Sequence, residues 1–168
     1  RHLVSSTRFV FNYAKAYMAE GKEEYLAATR HGVDYLRNRH RRENGGYVWL
    51  LEGDSNLDET NHCYGLAFVL LAYASAYKAG VSEAKPWINE TFELMEKHFW
   101  QPEFGLYQDE ISADWQTPSS YRGQNANMHS CEALMAAYDA TQDQRYLERA
   151  ELLAKNICQR QADLADGE

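Results

Sequence analysis

A repeat limits the fold of this chain more than any other feature. Tyr13-Ala14-Lys15-Ala16-Tyr17, Tyr73-Ala74-Ser75-Ala76-Tyr77 and Tyr138-Asp139-Ala140-Thr141 recur at steps of 60 and 65 residues. Each closes an apolar pattern of helical period. Each is followed by a break, Gly21-Lys22, Gly80-Val81-Ser82 or Gln142-Asp143, and then by a second helical pattern. Repeats of this length are single supersecondary units that must stack to bury their apolar faces.

The periodicity defines inner and outer members of each pair. Phe9, Val10, Tyr13 and Tyr17 precede Tyr25, Val33 and Leu36, while Leu66, Phe68, Leu70 and Tyr73 precede Trp87, Ile88, Phe92 and Met95. Met128, Leu134 and Tyr138 precede Tyr146, Leu153 and Ile157 in the third pair. Steps near 3 and 4 are helical. First members are rich in alanine and aromatics, which predicts burial on most sides. Second members carry charges such as Glu23, Glu24, Arg145 and Glu148, which predicts a solvent face. The expected fold class is all-α, with helical hairpins at about 1–40, 59–100 and 124–160 forming an α/α toroid or solenoid.

Composition narrows the partners. The 168 residues are 45% apolar and 13% aromatic, enough for a packed core and too much for a disordered chain. A net charge of −8 argues against nucleic acid or anionic membrane, which need clustered cations. No apolar run approaches the roughly 18 residues of a membrane span. Three cysteines make no disulfide framework, so a reducing, cytoplasmic setting is expected. The start at Arg1-His2, without methionine, and the end at Gly167-Glu168 predict a piece of something longer.

The links into the second and third hairpins are long and alike. Gly45-Gly46-Tyr47-Val48-Trp49-Leu50 and Phe104-Gly105-Leu106-Tyr107-Gln108-Asp109 each place glycine before an alternating aromatic run, a short-strand signal. Both links enter an inner helix, so they should open on one face of the array, where a pocket is expected.

Tyr121 to Glu132 is the densest polar segment, and His129 and Glu132 share a helix face there. Asn125 or Asn127 is a candidate helix cap. Two readings stand. In one the segment binds a sugar or carbonyl: amides meet hydroxyls, Arg122 meets developing negative charge and His129 moves protons. In the other it is a helix cap with a satisfied histidine. Arg8, inside an apolar inner helix, calls for a carboxylate or a ligand oxygen. His62-Cys63 and His129-Ser130-Cys131 match no zinc spacing, so a core thiol beside a loop histidine is expected. Arg37-Asn38-Arg39-His40-Arg41-Arg42 reads as a solvated helix end. Asn89-Glu90-Thr91 fits a glycosylation sequon but lies mid-helix.

Ser6-Thr7-Arg8-Phe9-Val10-Phe11-Asn12-Tyr13-Ala14, Tyr64 to Ala72, and Tyr121-Arg122-Gly123-Gln124-Asn125-Ala126-Asn127-Met128-His129 resemble the N-acylglucosamine 2-epimerase superfamily. The likeness is greatest to its bacterial D-mannose isomerase and sulfoquinovose isomerase branch, and it runs over essentially the whole chain. The resemblance implies an (α/α)6 barrel, of which these hairpins are the first three of six and residues 1–168 the N-terminal half of one catalytic domain. The C-terminal half of the same barrel would be its structural partner. It implies metal-free, cofactor-free aldose–ketose isomerisation of a monosaccharide through a cis-enediol, and it admits a homo-oligomer. It makes Arg8 and His129 catalytic, with Asn125, Arg122, Glu132 and Tyr64 at the substrate.

Two departures qualify the resemblance. The family's H-W-x-E-W-like box, which carries further histidines, has no counterpart here. Leu66 stands where the sulfoquinovose branch has histidine, which favours mannose. A sugar 2-epimerase is the alternative on the same fold. A glycosidase would need two facing carboxylates, such as Asp54 or Asp58 with Glu132. A helical-repeat interaction module would use none of these side chains chemically.

Overall fold

The computed structural model describes residues 1–161 and residue 163. Three helical hairpins follow one another: α1 (Leu3–Glu20) with α2 (Glu23–Tyr35), α3 (Cys63–Lys78) with α4 (Ala84–His98), and α5 (Gln124–Thr141) with α6 (Gln144–Lys155). The outer helices α2 and α6 run on into π-helical turns, Leu36–His40 and Asn156–Gln161.

The repeated tyrosines mark where the inner helices stop. Tyr17 O accepts from the N–H of Gly21, Tyr138 O from that of Gln142, both at 2.7 Å, and Tyr77 O from that of Gly80 at 3.0 Å. These bonds satisfy carbonyls that the ending helix leaves without partners. Gly21 takes the left-handed conformation (φ 68°) that only glycine adopts cheaply, and Gln142 takes it too (φ 62°), against the steric preference of a side chain.

Helix α3 packs against both α1 and α5, so it is the middle of the inner layer. Thirteen of its 16 residues are buried, against five of 18 in α1 and six of 18 in α5. Burial on most sides therefore holds for α3 alone; each flanking helix keeps an open face. Met128 and Met135 are exposed on α5, and Phe9 and Met18 on α1. The outer helices behave as expected: α4 buries Ile88, Phe92 and Met95, and α6 buries Tyr146, Ala150 and Leu153.

The links contain short strands. β1 (Leu50–Glu52) pairs antiparallel with β2 (Ser55–Asp58). β3 (Asn61–His62) pairs with β6 (Glu110–Ile111), and β4 (Trp100–Gln101) with β5 (Leu106–Tyr107). The β3–β6 pair brings the second link beside the start of α3. Asp109 then joins two inner helices: its carbonyl accepts from Cys63 N at 2.8 Å and its carboxylate from Gly123 N, at the starts of α3 and α5.

The basic run is no solvated helix end. Arg37 and Arg41 both pair with Glu90 of α4, Arg39 with Asp54, and Arg42 with Asn61 and the carbonyls of Glu59 and Ala113. It laces the first outer helix to its neighbour and to both links, because the π-turn is half covered by them.

Candidate active site

Arg8, Phe68 and His129 are each the sixth residue of their inner helix, and Tyr64 and Asn125 are each the second. Successive inner helices pack side by side in the same direction, so equal helical positions fall at equal depth. The repeat thereby brings residues about 60 apart onto one wall, near the helix N-termini.

On that wall the Arg8 guanidinium carbon lies 5.1 Å from the centroid of the Phe68 ring. The His129 imidazole is 4.8 Å from the same ring and 5.2 Å, edge-on, from that of Tyr64. Tyr64 and Phe68 are themselves 5.0 Å apart. His129 Nδ1 is 3.0 Å from Glu132 Oε2. In the neutral imidazole, a carboxylate on Nδ1 favours the tautomer with the proton there and the lone pair on Nε2.

The polar groups of this wall are largely unused. Among the described residues, Arg8, Asn125, the Tyr64 hydroxyl and His129 Nε2 make no hydrogen bond and no ion pair. Of the two partners expected for Arg8, no carboxylate meets it among the described residues; its guanidinium lies over an aromatic face, which holds the cation without neutralising it or occupying its N–H groups.

Arg122 is not brought to this group. Its guanidinium lies 3.7 Å from the centroid of Phe104, donates to Gln101 Oε1 and reaches Ser120 O at 2.7 Å. Neither asparagine caps α5, since Gly123 is the N-cap. Asn127 instead joins α5 to β5: its Oδ1 accepts from Tyr107 N at 2.8 Å, and its Nδ2 donates to Tyr107 O and Gly123 O at 3.0 and 2.9 Å.

The remaining candidates have local partners. Cys63 is fully buried 3.6 Å from Ser130 Oγ, and burial pushes its thiol up to about 12. His62 stacks on Trp49 at 4.0 Å with Nδ1 3.2 Å from Glu110, and burial lowers its pKa. Among the described residues no three His, Cys, Asp or Glu side chains assemble as a metal site. Asp54 pairs with Arg39, Asp58 caps Thr60 N, and Glu59 faces Arg42, so none meets Glu132. Asn89, on α4, accepts from Arg145 of α6. Leu66 is 2% exposed in the core, so it does not reach the wall directly.

Sequence reasoning missed Phe68 and Asp109. Phe68 was readable, because the 60-residue step from Arg8 lands on it. Asp109 was not, since only the β3–β6 pairing reveals its reach. A cleft of about 280 Å³ lies between α1 and α2, lined among others by Ser5, Phe9, His31 and Tyr35, and is separate from this wall.

Residues 1–168 match the family described as N-acylglucosamine 2-epimerase (GlcNAc 2-epimerase), and the chain belongs to that family. It is 64% identical over 166 residues to a D-mannose isomerase of Marinomonas mediterranea, a match covering 99% of this chain and 42% of that protein. Among solved structures, a D-mannose isomerase superposes with TM-score 0.96 at 65% identity over 98% of this chain and 42% of that one. A cellobiose 2-epimerase from Spirochaeta thermophila superposes with TM-score 0.85 at 26% identity over 91% and 42%. The chain thus spans about two fifths of the relatives it matches, and its three hairpins take the (α/α)6-barrel arrangement. No described helix is long and apolar enough to cross a membrane.

Proposed function

We propose that this chain forms the first half of a sugar isomerase that interconverts D-mannose and D-fructose, its pocket completed by the remaining hairpins of the barrel. The observation that carries the reading is the gathering of Arg8, Tyr64 and His129, with unused hydrogen-bonding groups, around Phe68 on the open wall of α1, α3 and α5, with Asn125 one helical turn before His129 on α5. The substrate follows from the name of the 64% identical relative, not from Leu66.

In this reaction a base removes the C2 proton of the open-chain aldose and a proton is delivered to C1. The hydroxyl proton on O2 passes to O1, so C1 becomes an alcohol and C2 a ketone. Charge develops on the two oxygens in between. Arg8 is the cationic group suited to that charge, and Tyr64 and Asn125 are the donors suited to neighbouring hydroxyls. His129, with Nδ1 held by Glu132, offers Nε2 for proton exchange with the substrate. Arg122 acts from outside this group, by holding the segment before α5 against Gln101 and Phe104.

Three free thiols, Cys63, Cys131 and Cys158, support a reducing, cytoplasmic location. The open faces of α1 and α5 are covered in this reading by the C-terminal half, and a homo-oligomer is compatible with it.

The test is product analysis with the full-length protein and D-mannose. Fructose supports isomerisation. Glucose, from proton return to the other face of C2, would assign the protein to the epimerases, the second reading that the cellobiose 2-epimerase likeness favours. Unchanged mannose would overturn both.

A further inference from the structure

The aromatic ring of Phe68 packs against three of the side chains on which the proposed chemistry depends. The Arg8 guanidinium lies 5.1 Å from its centroid, the His129 imidazole 4.8 Å and the Tyr64 ring 5.0 Å. The ring is only 7% exposed, so these neighbours cover it and little of it is left for a ligand. It stands at the same helical position as Arg8 and His129, on the buried central helix of the inner layer. Helix α3 is the best-anchored element available, and its sixth side chain is the natural reference point for the other two.

We propose that Phe68 is a positioning residue, whose ring face holds the Arg8 guanidinium charged and undonated at a fixed distance from His129. The inference rests on the isomerase reading of the wall. An arginine that stabilises developing oxygen charge must be fixed in place and keep its N–H groups free. A carboxylate partner would fix it but occupy those groups and cancel the charge. An aromatic face attracts the cation through its quadrupole and takes no N–H in the ring plane. Among the described residues Arg8 has no other charged or hydrogen-bonding partner, so its placement depends on that face. The same ring fills the space beside the imidazole, whose other restraint is Glu132. An aliphatic residue would fill the volume but give the cation no reason to stay.

The experiment replaces Phe68 in the full-length protein with mono-, di- and trifluorophenylalanine, which drain the ring face while nearly keeping its shape, and with leucine. Kinetics on D-mannose are read beside circular dichroism melting and the NMR signal of the Arg8 Nε–H, which the ring current displaces. kcat should fall stepwise with fluorine number to about two- to fivefold below the parent, the range for one partly exposed cation–ring contact. KM should change less than kcat, melting should not change, and the Arg8 signal should move. Phe68→Leu should fall further and lose the displaced signal. In an Arg8→Ala background the fluorine series should be flat. A flat series in the parent, or an equal slope without Arg8, would overturn the role of Phe68. An unfluorinated protein inactive on mannose would instead count against the isomerase reading itself, while the Arg8 signal would still report on the contact.

Discussion

His129 Nδ1 lies 3.0 Å from Glu132 Oε2, one helical turn further along α5, while the imidazole packs against the rings of Tyr64 and Phe68. Two restraints therefore hold one ring: a carboxylate on one nitrogen and two neighbouring aromatic rings, one edge-on and one tilted. The nitrogen left over points to chemistry rather than to packing. Glu132→Ala in the full-length protein should lower kcat/KM for mannose about tenfold, as losing an orienting partner of a working histidine does. Glu132→Gln, which still accepts from Nδ1–H, should retain most activity. Steady-state kinetics on the two variants check this, and equal losses would mean that the carboxylate acts by its charge.

Asn127 is fully buried, and its side-chain amide makes three hydrogen bonds to the backbone of Tyr107 and Gly123. Asn127→Ala removes all three and takes this partner from the buried N–H and C=O of Tyr107. The expected loss is about 3 kcal/mol, from net bonds of about 1 kcal/mol each. Urea unfolding measures it. Asn127→Asp should also destabilise, since both donated bonds become acceptor against acceptor.

His40 is buried with Nδ1 2.8 Å from Val48 O and Nε2 2.9 Å from Ser6 Oγ, and burial lowers its pKa below the usual 6.5. The folded protein then keeps the imidazole neutral at a pH where the unfolded chain protonates it. Its contribution is complete above about pH 6.5 and is lost as pH falls from there toward the lowered folded value. His62 has the same sign. Stability to urea should therefore fall between pH 7 and pH 5, and His40→Gln should be less stable at pH 7 yet show a shallower fall.

The thiols should separate by reactivity. Cys63 is buried and its pKa is pushed up to about 12, whereas Cys158 is exposed. A thiol reagent at pH 8 should label Cys158 promptly and Cys63 only after denaturation, as read by peptide mass spectrometry. Because the folded pKa of Cys63 is raised, its contribution to stability is present below about pH 9 and declines as pH rises toward 12.

The hairpins were legible because their signals are local and repeated. Helical period, a break after each Tyr-Ala block and the charge difference between members all depend on neighbours in sequence. The site was legible in part. Arg8, Tyr64, Asn125 and His129 stand in motif boxes at repeat-related helical positions, and Glu132 follows His129 by one turn of α5. Arg122 shares a box with His129 but turns to Phe104, because the segment before α5 is held by β4 and β5, elements of two residues each with little pattern to read. The contact between Arg8 and Phe68 was not legible, because charge calls for a carboxylate or a ligand oxygen and the ring of Phe68 reads as ordinary core. Asp109 joins α3 to α5 through a backbone carbonyl and a side chain together, a dependence on the β3–β6 register that no single segment displays.

The central claim is that Arg8 and His129, 121 residues apart in sequence, act on one sugar. Turnover of D-mannose by full-length Arg8→Ala and His129→Asn proteins, with folding verified by circular dichroism, tests it most directly. The account predicts that each loses at least about a hundredfold in kcat/KM, in line with the removal of a charge-stabilising or proton-transfer group, with melting close to that of the parent. Folded variants that both turn mannose over at the parental rate would contradict it.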